Sequence, residues 1–244
     1  MQTETRKSRH SRRYWNWRTI LGVILIVIAL GLFAMNPLKN YLIARGSQAN
    51  TVANLTREDI IANSNRDATF DLDEITTIDS MTVIADGVNP NDLPVIGGIA
   101  IPELEMNLPI HLGTANEGMY YGAGTLDPNQ QMGESNYALA SHHSKHPELL
   151  FAPLMNAEVG QTIYLTDLDK VYVYEIDVVE VVPPHDVSVL AQTDVPIVTL
   201  ITCTYDLVNR VIVQGTLIEE RPISEATQAM QEAFSIDQTI VTNE

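Results

Sequence analysis

The stretch from Ile20 to Met35 carries no charged residue and shows no polar face. It follows a block in which the first eighteen residues hold six Lys/Arg against one acid, Glu4. A helix that is apolar all round cannot lie on the surface of a water-soluble domain; it must be buried or placed in lipid. Counted on through Pro37, Leu38 and the Tyr41-Leu-Ile43 cluster, the segment reaches the about 20 residues that span a bilayer. A cleaved signal peptide would share the basic start, but no small-x-small site follows Phe33. A lipoprotein signal would end in a cysteine, and a core helix would not sit behind a basic block. The expectation is an uncleaved anchor over 19–43 behind a cytoplasmic basic tail, 1–18. The basic flank belongs on the cytoplasmic side, and Tyr14, Trp15 and Trp17 suit the headgroup region. Everything after about residue 45 is then extracellular.

Charge divides the chain in the same way. The formal net charge is −17 and the first eighteen residues contribute +5, so the remainder carries −22. An acidic domain of that kind is not built to bind nucleic acid through a broad basic surface. It suits a basic partner or an amine-bearing substrate, or simply stays soluble. Residues 44–79 hold little apolar content and read as an extracellular stalk, with one short helix over Arg57-Glu-Asp-Ile-Ile-Ala62 capped by Thr56.

From 80 to 221 the pattern changes to short apolar or alternating runs broken by Pro, Gly, Asn and Asp. Strands are expected at Val95–Ile101, Met106–Ile110, Tyr137–Ala140, Thr162–Leu165, Val171–Val181, Ile197–Cys203 and Val211–Ile218. No long amphipathic helix separates them, which argues against parallel βαβ repeats. Seven or eight strands in roughly 140 residues suggest one all-β barrel or sandwich. A helical turn is expected in Glu148–Met155, another in the Pro183–Gln192 connection, and a peripheral helix or frayed tail in 222–244.

The chemistry is concentrated at strand ends. Cys203, the only cysteine, closes the run Ile197-Val-Thr-Leu-Ile-Thr-Cys203, and Arg210 opens the next run. A lone thiol outside the cytoplasm has no intrachain disulfide partner; it is an inert buried residue or a nucleophile. Three of the six histidines lie together in Ala140-Ser-His-His-Ser-Lys-His146, directly after a strand. A histidine, a cysteine and an arginine at strand ends could meet at one rim, supplying a base, a nucleophile and an oxyanion partner. His142, His143 and His146 could also be metal ligands, although their spacing fits no strong zinc pattern.

Taken together and in this order, the motifs from Val95 to Glu219 resemble the sortases, the cysteine transpeptidases of Gram-positive surfaces. Leu200-Ile-Thr-Cys203 looks like the family's nucleophile motif. Asn209-Arg-Val-Ile-Val213 looks like the strand that carries its arginine, and Asn136-Tyr-Ala-Leu-Ala-Ser-His142 like the strand that ends in its histidine. Leu93-Pro-Val-Ile-Gly-Gly-Ile-Ala-Ile-Pro102, Asn107-Leu-Pro-Ile110, Tyr121-Gly-Ala-Gly-Thr125, Asn129-Gln130 and Leu149-Leu-Phe151 are similar to class A members. Ser141 departs from the glycine usual before the histidine. Pilus-building members typically add an N-terminal lid and a C-terminal span, neither of which is recognised, so the housekeeping class A is the nearest type.

The resemblance implies a closed, seven- or eight-stranded β-barrel with short helices behind one transmembrane helix. It implies Cys203, His142 and Arg210 as catalytic residues, with Thr202 and Ser141 beside them and Val187, Val189 and Leu190 on the substrate groove. The reaction would cut a Leu-Pro-x-Thr-Gly signal of secreted proteins between Thr and Gly and pass the Thr carbonyl to an amine of a peptidoglycan precursor. No metal or other cofactor is expected; calcium, which some relatives bind, would have Glu117, Asp127 and Glu134 available. Two other readings use the same residues differently: a Cys-His peptidase releasing the acyl group to water, and a non-catalytic anchored β-domain that binds.

Overall fold

A computed structural model describes residues 16–72, 83 and 87–235. Most of the expected basic tail (1–15), the end of the expected stalk with the first residues of the expected barrel domain (73–82 and 84–86) and the last nine residues lie outside the described residues. The chain divides into two units, 1–37 and 38–244.

Within the first unit lies most of helix α1, Trp17–Ala49, which contains Pro37. This is the one helix among the described residues long and apolar enough to cross a membrane, with a window of mean hydropathy 2.5 and none of it buried. Ile24 to Leu32 are exposed all round. From Leu38 on, within the second unit, the helix changes character. Lys39, Ile43, Ala44, Gly46 and Ser47 are buried, at spacings that put them on one face.

The second unit is a closed barrel of eight strands: β1 Val95–Ile101, β2 Met106–His111, β3 Ala123–Thr125, β4 Asn136–Ala140, β5 Thr162–Thr166, β6 Lys170–Val182, β7 Ile197–Cys203 and β8 Arg210–Pro222. Their order around the barrel is β1-β2-β3-β4-β7-β8-β6-β5, closed by the β1–β5 pair. All the strands expected from sequence form, within a few residues at their ends. β3 was not among them, because three residues are too few to display an alternating period. The interior is filled by Ile99, Leu108, Ile110, Leu139, Phe151, Ile163, Tyr174, Leu200 and Val213, each at most 1% exposed. Full burial of such a side chain contributes about 1.5–3 kcal/mol before entropy is counted.

Two pairings are parallel, β2 with β3 and β4 with β7; the rest are antiparallel. The parallel β4–β7 pair matters most, since it sends the C-terminal ends of both strands to the same rim. β8, antiparallel to β7, begins at that rim.

The short elements are docked rather than loose. Helix α2, Arg57–Ser64, starts in a capping box between Thr56 and Asp59, as expected of that threonine. The stretch expected as a stalk packs on the barrel through 72. Val52 and Ile60 are buried, and Asn63 Nδ2 donates to the Val95 carbonyl at 2.9 Å. Val52 can approach because Gly98 faces it; a Cβ on Gly98 would lie 2.9 Å from the valine methyls. The low apolar content was real, but a few well-placed residues suffice to dock a segment onto an existing surface. Helix α3 is Asn116–Met119, and the 3-10 turns Ala152–Asn156 and Val187–Leu190 fall in the connections where helical turns were expected. Helix α4, Gln228–Ala233, is held by Met230, Ala233 and Phe234 against Ala100, Val171 and Val173, and by Asn107 Nδ2 donating to the Phe234 carbonyl.

Candidate active site

The register of three strands builds one corner of the barrel. Ala140 of β4 pairs with Ile201 of β7, so His142 and Cys203 each stand two residues beyond a paired position on parallel strands. Cys203 pairs across to Arg210 on β8. The two strand ends are then strapped together. The Ser141 amide donates to the Ile201 carbonyl at 3.2 Å, and Thr202 Oγ1 donates to the Ser141 carbonyl at 3.0 Å. Ser141 and Thr202 are both buried, so these bonds work in a low-dielectric setting. Ser141 also uses its hydroxyl, donating to the Gly122 carbonyl at 2.7 Å.

A groove of about 410 Å³ opens over this corner. Cys203, His142, Arg210, Thr202, Ser141, Val187, Val189 and Leu190 all line it, so every site residue expected from sequence is brought to one place. Cys203 is half-buried with its thiol free. That separates it from the inert core cysteine that a purely binding domain would have. Arg210 is likewise half-buried; its guanidinium donates to the Asn209 carbonyl at 3.3 Å and makes no ion pair among the described residues.

His142 is 7% exposed, and burial pushes its pKa down to about 4, so the imidazole is neutral near pH 7. Its Nε2 is buried with no hydrogen-bond partner among the described residues. An unpaired buried polar atom costs about 1–3 kcal/mol, and such atoms concentrate where a ligand or a proton is to be handled. The ring stacks on Tyr120, centroids 5.6 Å apart with 25° between the planes. His143, the next residue, faces Tyr205 edge-on at 4.6 Å and does not line the groove.

The groove wall made by the β6–β7 connection is fixed from below. Asp186 caps the Val187–Leu190 turn through the Ser188 amide. Asn136, at the start of β4, donates from Nδ2 to the carbonyls of Val189 and Ala191 at 2.9 and 3.0 Å, while its Oδ1 accepts from Thr199 Oγ1 at 2.7 Å. Val187 remains 67% exposed on the wall.

Sequence reasoning did not find Tyr120 or Leu72, which also lines the groove. Nothing near Leu72 in sequence marks it; its place follows from Thr69, whose carbonyl accepts from the Thr114 amide at 2.8 Å. Among the described residues no group of three or more His, Cys, Asp or Glu comes together to hold a metal ion.

Known proteins resemble this chain in sequence and fold. Residues 99–218 match the family model described as the sortase domain. Sortase A of Streptococcus agalactiae is 37% identical over 225 residues, covering 89% of this chain and 91% of that protein. Sortase A of Listeria monocytogenes is 34% identical over 183 residues, 75% of this chain and 82% of that protein. The crystal structure of the Listeria monocytogenes sortase A superposes with a TM-score of 0.54, at 34% identity, over 57% of this chain and 97% of its own. The matched segment spans the barrel and the rim where Cys203, His142 and Arg210 meet, the likeness runs along nearly the whole chain, and this protein belongs to the sortase family as a sortase A-type cysteine transpeptidase.

Proposed function

We propose that the protein is anchored in the cell membrane by α1, N-terminus in the cytoplasm, and joins secreted proteins to the cell wall outside. Its substrate is a Leu-Pro-x-Thr-Gly sorting signal, cut between Thr and Gly, and its acceptor is an amine of a peptidoglycan precursor. The observation that carries this reading is the convergence of Cys203, His142 and Arg210 on one groove.

The chemistry follows from the protonation states. Neutral His142 takes the Cys203 proton as the sulfur attacks the threonine carbonyl carbon. The tetrahedral oxyanion is held by Arg210, whose charge is not spent on a carboxylate among the described residues. Collapse breaks the Thr–Gly bond; the departing glycine nitrogen takes the proton from His142, and a thioester remains on Cys203. The acceptor amine attacks the thioester, gives its proton to His142, and the new amide leaves as the cysteine is reprotonated. Val187, Val189 and Leu190 supply apolar wall for the leucine and proline of the signal. The −22 charge carried beyond residue 18 favours approach of a cationic acceptor.

Mass spectrometry of the full chain in detergent, mixed with a Leu-Pro-x-Thr-Gly peptide and a glycine-type amine, tests this directly. A product joining Thr to the amine, absent with Cys203→Ala, is expected. Cleavage without joining would move the assignment to a peptidase, and full activity of Cys203→Ala would remove the nucleophile assignment.

A further inference from the structure

The end of α1 is built into the same corner as His142. The turn after α3 carries two adjacent tyrosines, both at most 4% exposed. Tyr120 stacks on His142, and Tyr121 packs against α1 at Gly46, where any Cβ would overlap its ring. The two rings share one apolar cluster with Ile43 and Ala44 of α1 and with Leu149 and Leu150 of the loop after His143. The carbonyl of Gly122, next in the turn, accepts the Ser141 hydroxyl, which closes the path back to the residue before His142. By sequence, residues 38–49 fall partly in the expected anchor and partly in the expected stalk, with no part in the site.

We propose that Leu38–Ala49 is a positioning element of the active site, which seats Tyr121 on Gly46 and thereby fixes the Tyr120 ring beneath His142. This rests on the reading of His142 as the proton-transfer group. The physical reason is that a stacked, tightly packed tyrosine both limits the rotation of the imidazole and keeps water from one of its faces. Neither effect survives if the tyrosine can move. Gly46 is the point of leverage. It needs no unusual backbone, since it is helical; it is small because the ring occupies the space a side chain would take. The other titratable and charged groups around His142 are Cys203, Arg210, His185 and Asp186 on the groove and His143 beside it; none of them lies on α1.

The test uses the full chain in lipid nanodiscs, with histidine side chains isotope-labelled and followed by NMR as pH is varied. Gly46→Leu favours the helix but wedges Tyr121 off it, and it substitutes no residue that lines the groove. Tyr120→Ala removes the stacked ring itself, and Ile43→Ala loosens the cluster without steric insult should the leucine variant fold poorly. Gly31→Leu, where a side chain meets nothing within 4 Å, is the control and is expected to behave as wild type. All three cluster variants are expected to raise the His142 titration midpoint from about 4 toward the ordinary histidine range near 6.5. They are also expected to slow thioester formation about tenfold or more, with the peptide KM changed less than about threefold. A His142 midpoint and acylation rate that stay at wild-type values in Gly46→Leu and Ile43→Ala would overturn the proposal, whatever Tyr120→Ala does. The NMR midpoint needs no turnover. If it moves as expected while wild type transfers no acyl group, the positioning stands and the transpeptidase reading of His142 falls.

Discussion

Arg210 pairs with Cys203 across the β7–β8 register, and its proposed hold on the oxyanion rests on that pairing. A guanidinium opposite the nucleophile lies beside the carbonyl under attack, and its planar fork can hold the oxyanion through two N–H groups at once. Lysine would keep the charge and lose the fork. Arg210→Lys is therefore expected to reduce kcat/KM about 10²-fold, mainly in kcat, the scale found when one oxyanion donor is lost. Burst and steady-state kinetics on a fluorogenic sorting peptide check it; a loss confined to KM would mean that the arginine only binds the ground state. At this scale the sequence was easy to read, because a cysteine, a histidine and an arginine at strand ends are residue types that suggest acyl-transfer chemistry, and Cys203, His142 and Arg210 do line one groove. Tyr120 was not readable. A tyrosine in Gly118-Met-Tyr-Tyr-Gly122 looks like any core aromatic, and only the fold brings it under the imidazole.

Among the elements, the β6–β7 connection depends on a residue outside it. Asn136 makes three hydrogen bonds with distant partners: two donated to the connection and one accepted from β7. Thr199 in turn accepts from Gln214 Nε2 at 2.9 Å, so β4, β7, β8 and the groove wall share one polar network. Asn136→Ala leaves two carbonyls without their donor, and the wall carrying Val187, Val189 and Leu190 loses its support. The expected result is a KM for the sorting peptide raised about tenfold, roughly 1.4 kcal/mol of lost binding, with kcat changed little. Asn136→Asp should resemble alanine, because a carboxylate cannot donate to the two carbonyls; a wild-type KM for Asp would show that the amide donors do not hold the wall. Strand positions were legible because alternation and Val/Ile/Tyr content report a pleated, half-buried surface. β3 was not legible, being held by its neighbours β2 and β4 rather than by its own pattern. The docking of 44–72 was equally hidden, since it depends on a few contacts such as Val52 on Gly98 rather than on periodicity.

Across the whole molecule, burial of histidines ties stability to pH. His111 on β2 is 1% exposed, neither ring nitrogen has a hydrogen-bond partner among the described residues, and burial pushes its pKa down to about 3. His142 is held down to about 4 by the same cause. In the unfolded chain both return to about 6.5. Between these values the unfolded state binds protons that the folded state refuses, so stability is full above about pH 6.5 and falls as the solution is acidified toward 4. Each such histidine costs about 1.4 kcal/mol per pH unit within that window, which for a domain of this size lowers the Tm by about 3–6 °C. Scanning calorimetry of the full chain in detergent at pH 7, 6 and 5 should show this fall. His111→Leu removes one of these groups and leaves His142 and His143, which burial also holds down, and the apolar side chain has no lost hydrogen bond to answer for. Its Tm at pH 7 depends on how well leucine fills the space beside Gly118 and Gly122, but the fall between pH 6 and 5 should be shallower than in wild type by about a third to a half. An unchanged slope would mean that His111 is protonated in the folded barrel. The acid sensitivity would then originate elsewhere, and the buried imidazole would need a partner to hold its charge.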